Sequence, residues 1–154
     1  RGYGEKGKII LDELLQRHLS VVVVDDHHAV VEELREKKVN SIYGDATDLA
    51  ILIQAHIHEA AILVLAIDNE ILCRKIVETA KILRPTIETV MPAENEEDAK
   101  ALKADGVAQA FVPDELLAQA IVQFTMSRFG KESEDQKIRV EEAEEQKAIE
   151  RGAL

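Results

Sequence analysis

Gly2-Tyr3-Gly4-Glu5-Lys6-Gly7 opens the chain as a glycine fingerprint of the form G-x-G-x-x-G, and the run Val21-Val22-Val23-Val24 then ends in Asp25. Glycines in this pattern make the turn between a strand and the first helix of a mononucleotide-binding unit. They let the backbone approach a pyrophosphate, which sits on the helix N-terminus where unpaired N–H groups and the helix dipole favour an anion. An acidic residue at the tip of the next strand accepts hydrogen bonds from ribose hydroxyls. Glycine turn, amphipathic helix, valine strand and Asp25 follow one another at the spacing this arrangement needs.

Only Arg1 precedes the fingerprint, and the chain does not begin with Met. A strand of about five or six residues should stand there, in the middle of the sheet. Without it, two neighbouring strands lose hydrogen-bond partners. The sequence therefore reads as a fragment whose first strand is truncated at the N-terminus, rather than as a mature protein processed at Arg1.

The 154 residues suit one domain with a sizeable core. Trp is absent and aromatics are few, so that core must rest on Val, Ile, Leu and Ala. A formal net charge of −11 argues against a nucleic-acid partner, because no basic stripe exists to displace counterions. The single cysteine, Cys73, excludes an internal disulfide and reads as a packing residue. No apolar run approaches the ~20 residues of a membrane helix, and none reads as a signal peptide.

Helix and strand periods alternate along the chain. Helices are expected over Lys8 to His18, Ala29 to Lys37, Asp48 to His56, Glu70 to Leu83, Glu96 to Ala104 and Pro113 to about Phe129. Strands are expected over Val21 to Val24, Ser41 to Tyr43, Ala60 to Ile67, Thr86 to Met91 and Ala108 to Val112. The continuous β-branched runs predict strands buried on both faces. Pro85 closes one helix, Asp105-Gly106 stops another, and Pro113 opens the last. Repeated β-α units with right-handed crossovers give an α/β fold with a doubly wound parallel sheet over residues 1–130. Residues 131–154 turn to Glu, Lys and Gln and read as a charged tail, helical or disordered.

Several local sequences are more specific. Val21 to Asp25, Val31-Glu32-Glu33-Leu34, Tyr43-Gly44-Asp45-Ala46-Thr47-Asp48, Ala93 to Ala99, Leu102 to Val107 and Val112 to Leu116 together resemble the RCK or TrkA-N domain. That Rossmann-like, nucleotide-binding domain regulates potassium channels, the Trk and Ktr uptake systems and Kef-type potassium/proton antiporters. The resemblance covers roughly residues 2 to 128. Nothing after Gly130 reads as a further α/β unit, so the nearest match is the C-terminal domain of Kef-type antiporters.

The resemblance implies a site. Gly2, Gly4 and Gly7, with Tyr3, Glu5 and Lys6 between them, would surround the phosphates. Asp25, with Asp26 beside it, would hold the ribose. Gly44, Asp45 and Ala46 would border the adenine, and Ala66, Ile67 and Asp68 would form the opposite wall. It further implies NAD, AMP, ADP or ATP as a regulatory ligand that is not turned over. The implied partners are a membrane transport domain and a second copy docked through the helix 113–129, at the cytoplasmic face of the cell membrane.

Two positions depart from the family pattern. Glu5 and Pro92 stand where many members carry an arginine. A carboxylate beside a phosphate repels it, so NAD or AMP is expected to bind better than ATP. Lys6 and Lys8 read as exposed, as do His27, His28, His56 and His58, which lack a ligand spacing that suits zinc. No metal site or catalytic residue is expected. Two other functions remain open from the residues alone: an NAD-dependent oxidoreductase fragment, and a degenerate dimerisation module without ligand. The first needs a substrate domain and a proton-transfer group that the sequence does not offer.

Overall fold

The computed structural model describes the fold of residues 3–152, and side chains within 3–130 and 145–152. The chain divides into two units, residues up to Pro113 and residues from Asp114 onward.

The first unit alternates helix and strand. Its helices are α1 (Glu5–Gln16), α2 (His28–Glu36), α3 (Leu49–Gln54), α4 (Glu70–Leu83) and α5 (Glu96–Ala104). Its strands are β1 (Val22–Asp25), β2 (Asn40–Tyr43), β3 (Ile62–Val64), β4 (Glu88–Pro92) and β5 (Gln109–Phe111). Caps explain where several helices start. Asp48, Asn69 and Asn95 each accept a backbone N–H from the first turn of α3, α4 and α5, satisfying one of the donors that a helix start leaves unpaired. Glu96, Glu97 and Asp98 add acidic charge where the dipole of α5 favours it.

All strand pairs are parallel. Asp25 lies opposite Tyr43 in the β1–β2 pair, and β3, β4 and β5 pair in that order through Val64↔Val90 and Pro92↔Phe111. The expected doubly wound architecture is present in two parts, a two-stranded and a three-stranded sheet. Among the described residues no strand joins β1 to β3, so each has ladder partners on one side only.

That gap corrects two expectations. The strand foreseen over Ala60 to Ile67 is laddered only at Ile62–Val64. The valine run and β3 are not fully buried either: Val22, Ile62 and Val64 are 39%, 52% and 43% exposed. An unpaired edge exposes β-branched side chains that a neighbouring strand would cover.

The main core lies between β3–β5 and helices α4 and α5, with Cys73, Ile76, Met91, Leu102 and Ala110 buried. A second cluster gathers Leu52, Ile57, Ala80 and Ile87, and Ala46 and Leu63 pack against both. Arg74 joins α4 to the end of α5 through Asp105 at 2.7 Å while also pairing with Glu70. Lys81 Nζ donates to the carbonyl of Gly106 at 3.0 Å.

The second unit is helical. One helix, α6 (Pro113–Gly152), continues past Phe129, where the sequence pattern placed its end. A lone Gly130 costs a helix only about 1 kcal/mol, and the Glu, Lys, Gln and Ala that follow are strong helix formers. Along its first half Leu117, Ile121, Phe124 and Phe129 are each more than half exposed. No helix among the described residues is long and apolar enough to cross a membrane.

Candidate functional site

The parallel register of β1 with β2 sets Asp25 beside Tyr43, so the turns leaving both strands emerge at one end of the sheet. There, Val24, Asp25, Asp26, Gly44, Asp45, Ala46, Ile67, Leu72 and Ile76 line a shallow crevice. It measures about 340 Å³, counting space open to solvent. Six of the residues foreseen for the site thus meet: Asp25, Asp26, Gly44, Asp45, Ala46 and Ile67. Ala66 and Asp68 flank Ile67 in sequence but do not line the crevice. A crevice outside the carboxyl ends of parallel strands is where open α/β sheets bind ligands.

Each wall has a local cause. Asp45 closes its own turn, its Oδ1 accepting from the Thr47 N–H at 2.8 Å and the Thr47 hydroxyl at 2.7 Å. Those bonds, the hydroxyl's first, hold its carboxyl below the usual carboxylate range. Thr79 on α4 anchors the same turn by donating to the Thr47 carbonyl at 3.2 Å. Gly44 is required by packing: a Cβ there would collide with the Ile51 side chain.

Asp25 is the polar centre. Its side chain is 1% exposed. Oδ1 accepts the His27 backbone N–H at 2.8 Å and lies 2.9 Å from His27 Nδ1. Oδ2 is buried without a partner. The only other such oxygen among the described residues, Thr89 Oγ1, lies on a residue outside this crevice. Buried polar atoms are nearly always paired, so an orphan on a residue that lines a crevice is suited to a donor brought by a ligand.

The glycine turn supplies a second element. Gly4 is the N-cap of α1 and gives no side-chain cap, and the first bond into the helix from this turn is Lys8 N–H to Gly4 O at 3.0 Å. The N–H groups of the first turn therefore remain free for an anion. A Cβ on Gly4 would meet nothing within 4 Å, so the protein's own packing does not demand glycine there; close approach of a ligand would. Gly7 lies half-buried within α1, and Gly2 falls outside the described residues. Tyr3 is half-buried, and burial raises its phenol, with Asp12 and Glu33 adding to the rise and Lys37 opposing it. Glu5 is exposed on the first turn, and Lys6 is ion-paired with Asp68. Pro92 ends β4 opposite Phe111.

His27, His28, His56 and His58 are all exposed, as the sequence reading expects. His27 is 49% exposed at its side chain, yet Nδ1 contacts both Asp25 Oδ1 and Asp26 Oδ1, the latter at 2.7 Å. Among the described residues two groups, Asp25-Asp26-His27 and His56-His58-Glu59, bring potential ligand atoms within 4.8 Å of one another. The first is held by hydrogen bonds, and all three residues of the second are exposed. Cys73 is buried, its Sγ 3.5 Å from the Ile67 carbonyl, and burial pushes its thiol up to about 11. It is a packing residue.

Residues 1–113 match the TrkA-N domain family. The chain belongs to that family. Its relatives are membrane transport proteins. The TrkA-N domain is 28% identical over 122 residues to YbaL of Escherichia coli K12, named as a candidate cation/proton antiporter, covering 79% of this chain and 22% of YbaL. It is 33% identical over 114 residues to potassium channel protein 1 of Methanocaldococcus jannaschii, covering 73% of this chain and 34% of the channel. The chain thus spans about a fifth to a third of these relatives. The crystal structure of the YbaL TrkA-N domain superposes with a TM-score of 0.74, covering 80% of this chain and 91% of that one. The Kef C-terminal domain of Shewanella denitrificans, solved in an AMP-bound form, superposes with a TM-score of 0.66 at 25% identity, covering 81% and 77%. These matches establish a Rossmann-like TrkA-N domain related to the regulatory parts of potassium channels and Kef-type antiporters.

Proposed function

We propose that this TrkA-N domain is the nucleotide sensor of a potassium channel or cation/proton antiporter, binding AMP or NAD as a regulator without turning it over. The observation that carries the reading is Asp25: its Oδ2 is buried without a partner, on a residue that lines the crevice beside the β1 and β2 turns. A ribose hydroxyl supplies the donor that Oδ2 lacks. The phosphate then falls to the free N–H groups at the start of α1, around Gly4, Glu5, Lys6 and Gly7. The adenine lies against Gly44, Asp45 and Ala46, with Ile67 opposite. The AMP held by the Kef domain of Shewanella denitrificans supports the same ligand class. Relatives that are transport proteins favour this reading over an oxidoreductase.

The membrane transport region of the same or a partner chain would be the effector, with the domain at its cytoplasmic face. The apolar residues Leu117, Ile121, Phe124 and Phe129 of α6 would dock on a second copy, an isologous dimer being the commonest assembly. Sedimentation at micromolar concentration, with and without AMP, tests that dimer.

Isothermal calorimetry with AMP, NAD and ATP tests the ligand, with chromatography of the recovered nucleotide testing for turnover. Binding of AMP or NAD, ligand recovered intact and a loss of roughly 1–3 kcal/mol in Asp25→Ala support the proposal. Equal affinity in Asp25→Ala removes Asp25 from the site, and conversion of the ligand makes the protein an enzyme.

A further inference from the structure

We infer that His27 is a positioning residue that aims Asp25 at the ribose, an inference that rests on the ribose reading above. Asp25 Oδ1 takes two donors from the same residue, the His27 backbone N–H at 2.8 Å and the ring Nδ1 at 2.9 Å. The two bonds restrain the Asp25 side-chain torsion, and the oxygen left over is Oδ2, the buried atom without a protein partner. Both acceptors nearest Nδ1 are carboxyl oxygens, Asp25 Oδ1 and Asp26 Oδ1 at 2.7 Å, so Nδ1 carries the proton. The imidazole is therefore a clamp between two acids of unlike exposure, Asp25 at 1% and Asp26 at 64%.

Removing the ring leaves the backbone donor in place but frees the torsion of Asp25 and takes one hydrogen bond from a buried group. Ligand affinity then falls because Oδ2 must be ordered as the ribose binds. The start of α2 is left intact. His27 precedes α2 without a side-chain cap, and the bonds from the Val30 and Val31 N–H groups go to its backbone carbonyl. An Asn at this position retains an amide donor on a short side chain, close to where Nδ1 stands.

The test is calorimetry with AMP and with 2′,3′-dideoxy-AMP on wild type, His27→Ala, His27→Asn and Asp25→Ala, with melting temperatures as the control on folding. His27→Ala is expected to weaken AMP about tenfold, the scale of one hydrogen bond to a charged group, and to leave dideoxy-AMP within about twofold. His27→Asn should hold AMP within about threefold of wild type, again short of one hydrogen bond's worth. Equal loss of AMP and dideoxy-AMP in His27→Ala would make the role merely structural and overturn the inference. So would unchanged AMP binding in His27→Ala alongside a loss in Asp25→Ala, which leaves the ribose reading standing. Unchanged AMP binding in Asp25→Ala overturns the ribose reading itself.

Discussion

Lys6 in the first turn of α1 is ion-paired with Asp68 in the loop after β3, a contact between residues 62 positions apart. Both side chains are largely exposed, at 53% and 74%, so the pair itself stabilises the fold by less than about 1 kcal/mol. Its interest is positional, since Lys6 is the cation nearest in sequence to the free N–H groups at the start of α1. A phosphate arriving there competes with Asp68 for it.

Asp68→Asn should therefore raise AMP affinity about threefold at low salt, by freeing Lys6 and removing a negative charge, and the gain should shrink as salt screens both charges. Calorimetry at two ionic strengths measures it. Weaker binding in Asp68→Asn would mean that Asp68 itself touches the ligand.

Glu5 is exposed on the same turn. Its carboxylate disfavours each added phosphate, so wild type should prefer AMP to ATP. Glu5→Arg should raise ATP affinity severalfold more than AMP affinity, most strongly at low salt. A wild type that already prefers ATP by about tenfold, or roughly 1.4 kcal/mol, contradicts the electrostatic argument.

Cys73 lends the fold a dependence on alkaline pH. Burial raises its thiol from 9.0 to about 11 in the folded chain. Above pH 9 the unfolded chain releases this proton while the folded chain keeps it. Stability is thus lost as pH rises through that window, by roughly 1 kcal/mol per pH unit. Cys73→Ala should show a shallower fall in urea-unfolding free energy between pH 9 and 10.5 than wild type. Parallel slopes would show that the thiol titrates alike in both states.

Gly44→Ala should destabilise the domain by roughly 1–3 kcal/mol, the range for overpacking, because the new methyl group collides with Ile51. Pairing it with Ile51→Ala should recover part of that loss. Thermal melts of the two single variants and the double variant read the coupling, and strict additivity would dismiss the clash.

Much of the fold was legible in the chain. α4 and α5 begin and end where the pattern placed them, since Asn69 and Asn95 cap their starts and the chain before Pro85 and at Asp105-Gly106 cannot continue a helix. The crevice was legible in part because Asp25 ends β1 and Gly44-Asp45-Ala46 follow β2, and the parallel register sets Asp25 beside Tyr43. α6 runs on past Phe129, within the helical reading of the tail, because a single glycine is too weak a signal to stop a helix of good formers.

Local sequence determined the order of elements, the caps and the turn chemistry, because backbone propensity and hydrogen bonds between near neighbours act over a few residues. Tertiary structure alone decided how far β3 extends, since a strand is laddered only where a partner lies beside it. It also decided that Lys6 meets Asp68, that Arg74 meets Asp105, and that one oxygen of Asp25 is held by His27 while the other is buried without a partner. Burial of a polar atom, and the partners that remain for it, depend on what the rest of the chain packs around it.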